Sequence, residues 1–191
     1  MTDTKSKILE YAKECFFQHG YAATTISMVS RYANISRVTI HKHFSSKEVL
    51  FVQVVDEFFR QQRLSLPNYL ASQNPFWHDT NALMKEYRGG IFEQISNTIV
   101  RTDLVLAGNT HCLTLIQQHK TTVKDAIAVR LEQAINNEEL SLEKIGLDID
   151  TFATRIESIA DGIFISPFSD NSMEIFDQLF LIYKAATLIS N

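Results

Sequence analysis

The sequence predicts an all-α protein, a head of three short helices followed by a larger helical body, and three observations carry that prediction. Only three prolines and six glycines interrupt 191 residues. Apolar residues recur at three- and four-residue spacing over long stretches, and no segment sustains the alternation expected of a half-buried strand. By size scaling, a chain of 21.8 kDa buries roughly 70% of its unfolded surface, so it forms a core without metal or disulfide staples. A content of 45% apolar and 21% charged residues excludes disordered and collagen-like classes.

The first helix is predicted over residues 4 to 19, where Ile8, Ala12, Cys15, Phe16 and His19 share one face and Gly20 provides the stop. Thr24 is the expected N-cap of a short second helix carrying Ile26 and Val29, and Ser36 that of a third carrying Ile40. Ala33-Asn34-Ile35 forms the tight connection between them. Ser45 or Ser46 then caps a fourth helix from Lys47 to about Leu64, with a wide apolar stripe of Leu50, Phe51, Val54, Val55, Phe58 and Phe59, which Pro67 ends. Further helices are expected at about 78–100, kinked by Gly89-Gly90, and at 103–119, 122–136, 149–166 and 173–190. The division that follows is a head at 1–46, a connecting helix at 47–66 and a body at 67–191.

Charge separates these parts. Residues 1–50 carry a net charge of +3 within a chain of −4, which leaves −7 for the remainder. A basic head suits a polyanion, whereas an acidic body is repelled by one. The N-terminus has neither the apolar core nor the small-residue cleavage site of a secretory leader, and no run approaches the ~20 apolar residues of a spanning helix. The expectation is a cytoplasmic protein with no membrane partner. Cys15 and Cys112 lie far apart without CxxC pairing, which signals neither a zinc module nor a disulfide framework. His41-x-His43 lacks a third or fourth ligand nearby, so no metal is expected. The chain carries no P-loop, GxGxxG, HExxH or GxSxG, and its carboxylates do not pair across a recognisable catalytic site; no enzyme activity and no cofactor are expected.

The informative stretch runs from Gly20-Tyr21 through Thr24-Thr25, Asn34 and Ile35-Ser36-Arg37-Val38-Thr39-Ile40-His41-Lys42-His43-Phe44 to Ser46-Lys47-Glu48-Val49-Leu50. Read physically, it is a short helix, a tight turn and a second short helix with polar and basic residues outward, the arrangement that lets one helix enter a DNA major groove. About 30 of these positions resemble the DNA-binding head of TetR-family transcriptional regulators: the glycine-aromatic end of helix one, the paired threonines that open helix two, and the Ile-Ser-x-x-Thr-Ile-x-x-His-Phe-x-Ser-Lys-Glu-x-Leu run. The resemblance implies a homodimer that binds a double-stranded DNA operator and responds to a small-molecule effector through its C-terminal ligand-binding and dimerisation body.

Three positions depart from the family pattern. Asn34 replaces the usual turn glycine and tolerates the same left-handed backbone. Val38 replaces a frequent glycine at the start of the recognition helix, which changes base preference. His41 replaces a tyrosine and brings a pH-dependent charge that tyrosine lacks. By resemblance, Thr25, Thr39, His41, His43 and Lys47 are expected at phosphates, and Arg37, Val38, Lys42 and Ser27 at base edges, with Ser36 beside them at the helix start. His43 has the alternative of a core position.

In the body, Leu104, Gly108, His111, Cys112, Leu115, Ile116 and His119 fall on one helical face, either as core residues or as the polar groups that orient a ligand in an apolar cavity. The expected effector pocket is Trp77, Tyr87, Phe92, His111, Cys112, Leu115, His119 and Phe152. A redox role for Cys112 is a weaker variant. The last helix carries two stripes, Phe176, Leu179, Phe180 and Tyr183 on one side and Ile175, Ile182, Ala186 and Ile189 on the other. Burial from both directions suggests a two-fold packing of the last two helices through Phe152, Ile156, Ile163, Phe176, Leu179, Phe180 and Tyr183. The alternatives are a central helix in a monomer and, for the whole chain, a helical binding module that has lost operator recognition.

Overall fold

The computed structural model describes residues 3–89, 95, 97–164 and 172–189, with the side chains of all of these except 88, 89, 160–164 and 172. Every regular element among the described residues is helical. The chain divides into two compact units, the first Met1–Gln61 with Gln94–Gln117, the second Gln62–Glu93 with Gln118–Asn191. Residues 94–117 therefore group with the head, which the three-part division from sequence did not foresee.

The first unit holds α1 (Thr4–Ala23), α2 (Ile26–Ala33), α3 (Arg37–His43), α4 (Lys47–Gln62, the last residue in the second unit) and α7 (Thr98–His111). Its core combines Ile8, Ala12, Cys15 and Phe16 from α1 with Val29, Ile40, Phe44, Leu50, Phe51 and Val54, and with Ala107 and Cys112 from the α7 end. The break expected at Gly20 is real: its backbone lies at φ +81 and ψ 173, a region only glycine enters freely. A Cβ there would also stand 2.5 Å from Asp103 Oδ2. That carboxylate accepts the Ala22 N–H at 2.9 Å, tying α7 to the frayed end of α1. Thr24, expected as a cap, is instead buried, its hydroxyl 2.6 Å from the Gly20 carbonyl and 3.1 Å from that of Cys15. It satisfies acceptors that the break at Gly20 releases. The α2 cap is Thr25, whose hydroxyl oxygen accepts the Met28 N–H at 3.2 Å.

The second unit holds α5 (Leu66–Ala71), α6 (Phe76–Met84) with a π turn at Lys85–Gly89, most of α8 (Leu113–Asn136), α9 (Ile149–Phe164) and α10 (Ser172–Thr187). Pro67 does not terminate α4. After a 3-10 turn at Arg63–Ser65 it opens α5, where its missing N–H costs nothing. The predicted helix at 103–119 also differs, because the chain breaks at Cys112 (φ −125, ψ 15) and α8 runs on from Leu113 through the expected gap at 120–121.

The core of this unit is aromatic. Trp77 meets Phe76, Phe152 and Phe180 edge to face at 5.1, 6.1 and 5.6 Å, and its indole N–H donates to Thr187 Oγ1 at 3.0 Å. A polar seam lies beside it: Tyr69 bonds Thr80 at 2.8 Å, while buried Arg130 donates to the Asn74 carbonyl at 2.8 Å and stands 3.5 Å from Asp79 Oδ2. Among the described residues no helix is long and apolar enough to cross a membrane.

Candidate nucleic-acid interface

The α2–turn–α3 segment is built from local chemistry. Asn34 takes the left-handed conformation (φ 52, ψ 46) that the turn requires, and its N–H donates to Arg31 O at 3.3 Å. Ser30 Oγ donates to Ile35 O at 2.7 Å, while the Ile35 N–H returns to Ser30 O at 3.1 Å. Asparagine thus performs the turn glycine's task, as expected. Ser36 caps α3 by accepting the Thr39 N–H at 3.0 Å. Burial of Ile40, Phe44 and Val29 anchors one side of the motif in the core and fixes which side faces outward.

That outward side carries the predicted polar set. Ser27, Arg37, Val38, His41, Lys42 and His43 are exposed. Arg37 Nη1 reaches Ser27 Oγ at 3.5 Å, so the two helices of the motif present their candidate base-reading groups together. Arg37, Val38, His41 and Lys42 line a surface concavity of about 580 Å³. Thr25 and Ser36 lie exposed at the helix starts, and Thr39, half-buried, sits 2.9 Å from Ser36 Oγ. His43 is not a core residue: its ring lies outside, tilted 45° against Phe44 at 6.3 Å.

Lys47 has a structural task that the sequence did not disclose. Its Nζ donates to Tyr21 O at 2.9 Å and approaches Ala22 O at 3.5 Å, with the ammonium 4.2 Å over the Tyr21 ring. Two of three N–H donors are directed to the end of α1, which leaves one for a phosphate. Tyr21 is the hub here, since its hydroxyl donates to Glu48 at 3.2 Å and its ring packs on Phe51 and His111. Burial, then the Glu48 carboxylate, pushes the phenol up to about 12. Asp103 and His111 are 81 and 90 positions from the residues they meet, a separation no local pattern bridges.

The residues of the expected effector pocket are distributed over both units. Trp77, Tyr87, His119 and Phe152 are buried in the second unit, where Tyr87 and His119 stack at 5.3 Å and 13°. His111 and Cys112 belong to the first unit, Leu115 is half-buried on α8 in the same unit, and Phe92 lies outside the described residues. The break at Cys112 divides between two helices the face that the sequence pattern reads as continuous. Burial raises the thiols of both cysteines, that of Cys112 to about 11, which disfavours the reactive thiolate. A second concavity, of about 760 Å³, is lined by the 141–150 loop and Ile135 and contains none of the expected pocket residues. Among the described residues no group of three or more metal-ligating side chains converges.

Most residues of the expected dimer stripe pack within the chain itself. Phe152, Ile156, Phe176 and Phe180 are fully buried within the chain's own core, and Tyr183 and Leu179 are half-buried, Tyr183 packed against that core. The side chain of Ile163 lies outside the described set. The second stripe is the more open one, with Ile175 and Ile182 on α10 and Ile189 beyond it exposed; Leu181 and Leu188 are exposed as well.

Helix, left-handed turn and recognition-type helix with a polar outward face define a helix-turn-helix DNA-binding protein. Residues 8–54 match the family model described as bacterial regulatory proteins, tetR family. An HTH-type transcriptional regulator of Bacillus subtilis, YhgD, is 34% identical over 74 residues, 39% of either chain. The match thus spans about two fifths of that relative. The HTH-type transcriptional repressor AcnR of Corynebacterium glutamicum is 26% identical over 172 residues, 86% of this chain and 81% of its own. A TetR transcription regulator from Haloarcula marismortui superposes with a TM-score of 0.80 at 16% identity, covering 99% of this chain and all of the other. FadR from Bacillus subtilis, in complex with stearoyl-CoA, gives 0.74 at 14% identity over 94% and 97%. Residues 8–54 are thus similar to the DNA-binding head of the tetR family, and the chain as a whole shares the fold of the TetR regulator it superposes on.

Proposed function

We propose that the protein is a cytoplasmic, homodimeric, ligand-responsive DNA-binding regulator without catalytic activity, a repressor that a small molecule releases from its operator. The observation that carries this reading is the exposed face of α3 with Arg37, Lys42, His41 and Ser27, held outward by the buried Ile40 and Phe44. Repression is named for the AcnR relative, and an effector is suggested by the stearoyl-CoA held by the FadR neighbour. Thr25, Thr39, His41, His43 and the third donor of Lys47 contact phosphates, and Ser36 orients Thr39 beside them. Arg37, Lys42, Val38 and Ser27 face the bases. Two heads address half-sites one helical turn (~34 Å) or a multiple apart. The effector site lies in the second unit around Trp77, Tyr87, His119 and Phe152.

Release is a population shift. Moving from 1:99 to 99:1 between DNA-competent and incompetent forms takes a ligand preference of ~10⁴, about 5.5 kcal/mol, so a weakly selective ligand derepresses only in part. The test is selection from a random double-stranded DNA pool at low salt. A retained two-fold motif is expected, and Arg37→Ala relaxes its preference at one position per half-site by about 1–3 kcal/mol. Retention of no sequence above background overturns the operator reading.

A further inference from the structure

Val38 is an apolar side chain where the fold needs none. It is 68% exposed, the most exposed large apolar residue among residues 3–62, while Ile40 two positions on is wholly buried. Its branched carbon is a poor choice for the second position of a seven-residue helix, where alanine or a straight chain propagates better. Its neighbours on the surface are cationic or polar: Arg37, His41 and Lys42 line the same concavity of about 580 Å³. The complementary partner is therefore anionic overall and apolar at one point. Along the major groove of duplex DNA each base edge offers hydrogen-bond donors or acceptors, with one methyl group among them, the C5-methyl of thymine.

We propose that Val38 is a specificity-determining residue that reads the C5-methyl of a pyrimidine in each half-site, thymine in unmodified DNA. The inference rests on the reading that α3 enters the major groove, and it adds which base chemistry that helix selects. Methyl against isopropyl excludes water from both, and a nearby Arg37 sets the register without supplying this discrimination. 5-Methylcytosine carries the same methyl on a different hydrogen-bonding edge, so the chemistry predicts tolerance of that base over cytosine at the same place.

The experiment uses the full chain and the operator that selection recovers. Each thymine is replaced in turn by deoxyuridine, which removes the methyl and keeps every hydrogen bond, and affinity is measured at one salt concentration for wild type, Val38→Ala and Val38→Thr. One thymine per half-site is expected to cost wild type roughly 3- to 10-fold when demethylated. Val38→Ala binds the thymine operator more weakly by a similar factor and is indifferent to uracil at that position, the coupling a double-mutant cycle isolates. Val38→Thr, of the same shape, keeps the fold and part of the methyl contact. At that position 5-methylcytosine binds wild type better than cytosine does, and Val38→Ala distinguishes them less. Equal losses for wild type and Val38→Ala at every thymine overturn the inference and leave the operator reading intact. Failure to recover any operator overturns both.

Discussion

Thr24 and Thr25 are adjacent, chemically identical and differently employed, one buried against the carbonyls of Cys15 and Gly20, the other capping α2. A hydroxyl ahead of an apolar run signals a cap in either place, so the sequence locates the helix start but not the residue that makes it. Ser36 and Asn34 were legible because each does what its type does best, a cap and a left-handed turn. Lys47 was half legible. Its match to the family run points to phosphate, while its bond to Tyr21 O depends on where α1 ends against α4. The double role gives a prediction. Lys47→Ala is expected to lower stability by about 1 kcal/mol, from a half-exposed charged hydrogen bond and the ring contact, and to reduce the salt slope of DNA binding by about one. Lys42→Ala, exposed in this structure and assigned to the bases, is expected to leave the melt unchanged, to lower the slope and to relax sequence preference. Thermal melts and salt titrations of both variants check the pair; an unchanged melt for Lys47→Ala removes its structural role.

Helix boundaries are legible where a residue announces them without ambiguity. Gly20 announces the end of regular α1 and Pro75 precedes α6. Cys112 announces nothing, and a stripe that looks continuous from Leu104 to His119 is divided between two helices. Pro67 is ambiguous in principle, since the same ring ends one helix and opens another. At Gly20 two requirements coincide: a backbone at φ +81 and the carboxylate of Asp103 against the missing side chain. Gly20→Ala is expected to cost about 1–3 kcal/mol from the backbone conformation alone, and more where Asp103 is displaced from the Ala22 N–H. Asp103→Asn, which keeps the shape and an acceptor, is expected to cost less than Gly20→Ala in the same denaturant titration. The reverse order would place the constraint in the Asp103 contact and not in the backbone.

Over the whole molecule, stability rests on two cores, and the buried polar seam of the second makes it sensitive to acid. Burial alone raises the Asp79 carboxyl, but hydrogen bonds from Ser72, His78 and Asn74 and the Arg130 charge outweigh it and hold the carboxyl below its usual value. The folded state therefore binds that proton less readily than the unfolded chain. The associated stability is present above about pH 4 and is lost as pH falls through the folded value. Asp79→Ala leaves Arg130 buried without its carboxylate, with an expected loss of about 3 kcal/mol at neutral pH and a shallower acid limb in urea melts. The sequence showed two apolar stripes on the last helix but could not say which one the chain keeps for itself. Phe176 and Phe180 go inward, and Ile182, 60% exposed, goes outward with Ile175 and Leu181. Exposed apolar side chains at i and i+7, as at Ile175 and Ile182, are what a two-fold helix packing consumes. Ile182→Asp places a charge on that stripe at a largely exposed position, so the variant is expected to sediment as a folded monomer with unchanged helicity. Its affinity for the two-fold operator should fall by at least about 10²-fold, because each half-site then binds without the effective concentration supplied by its twin. A dimer that survives Ile182→Asp would move the interface off this face of α10.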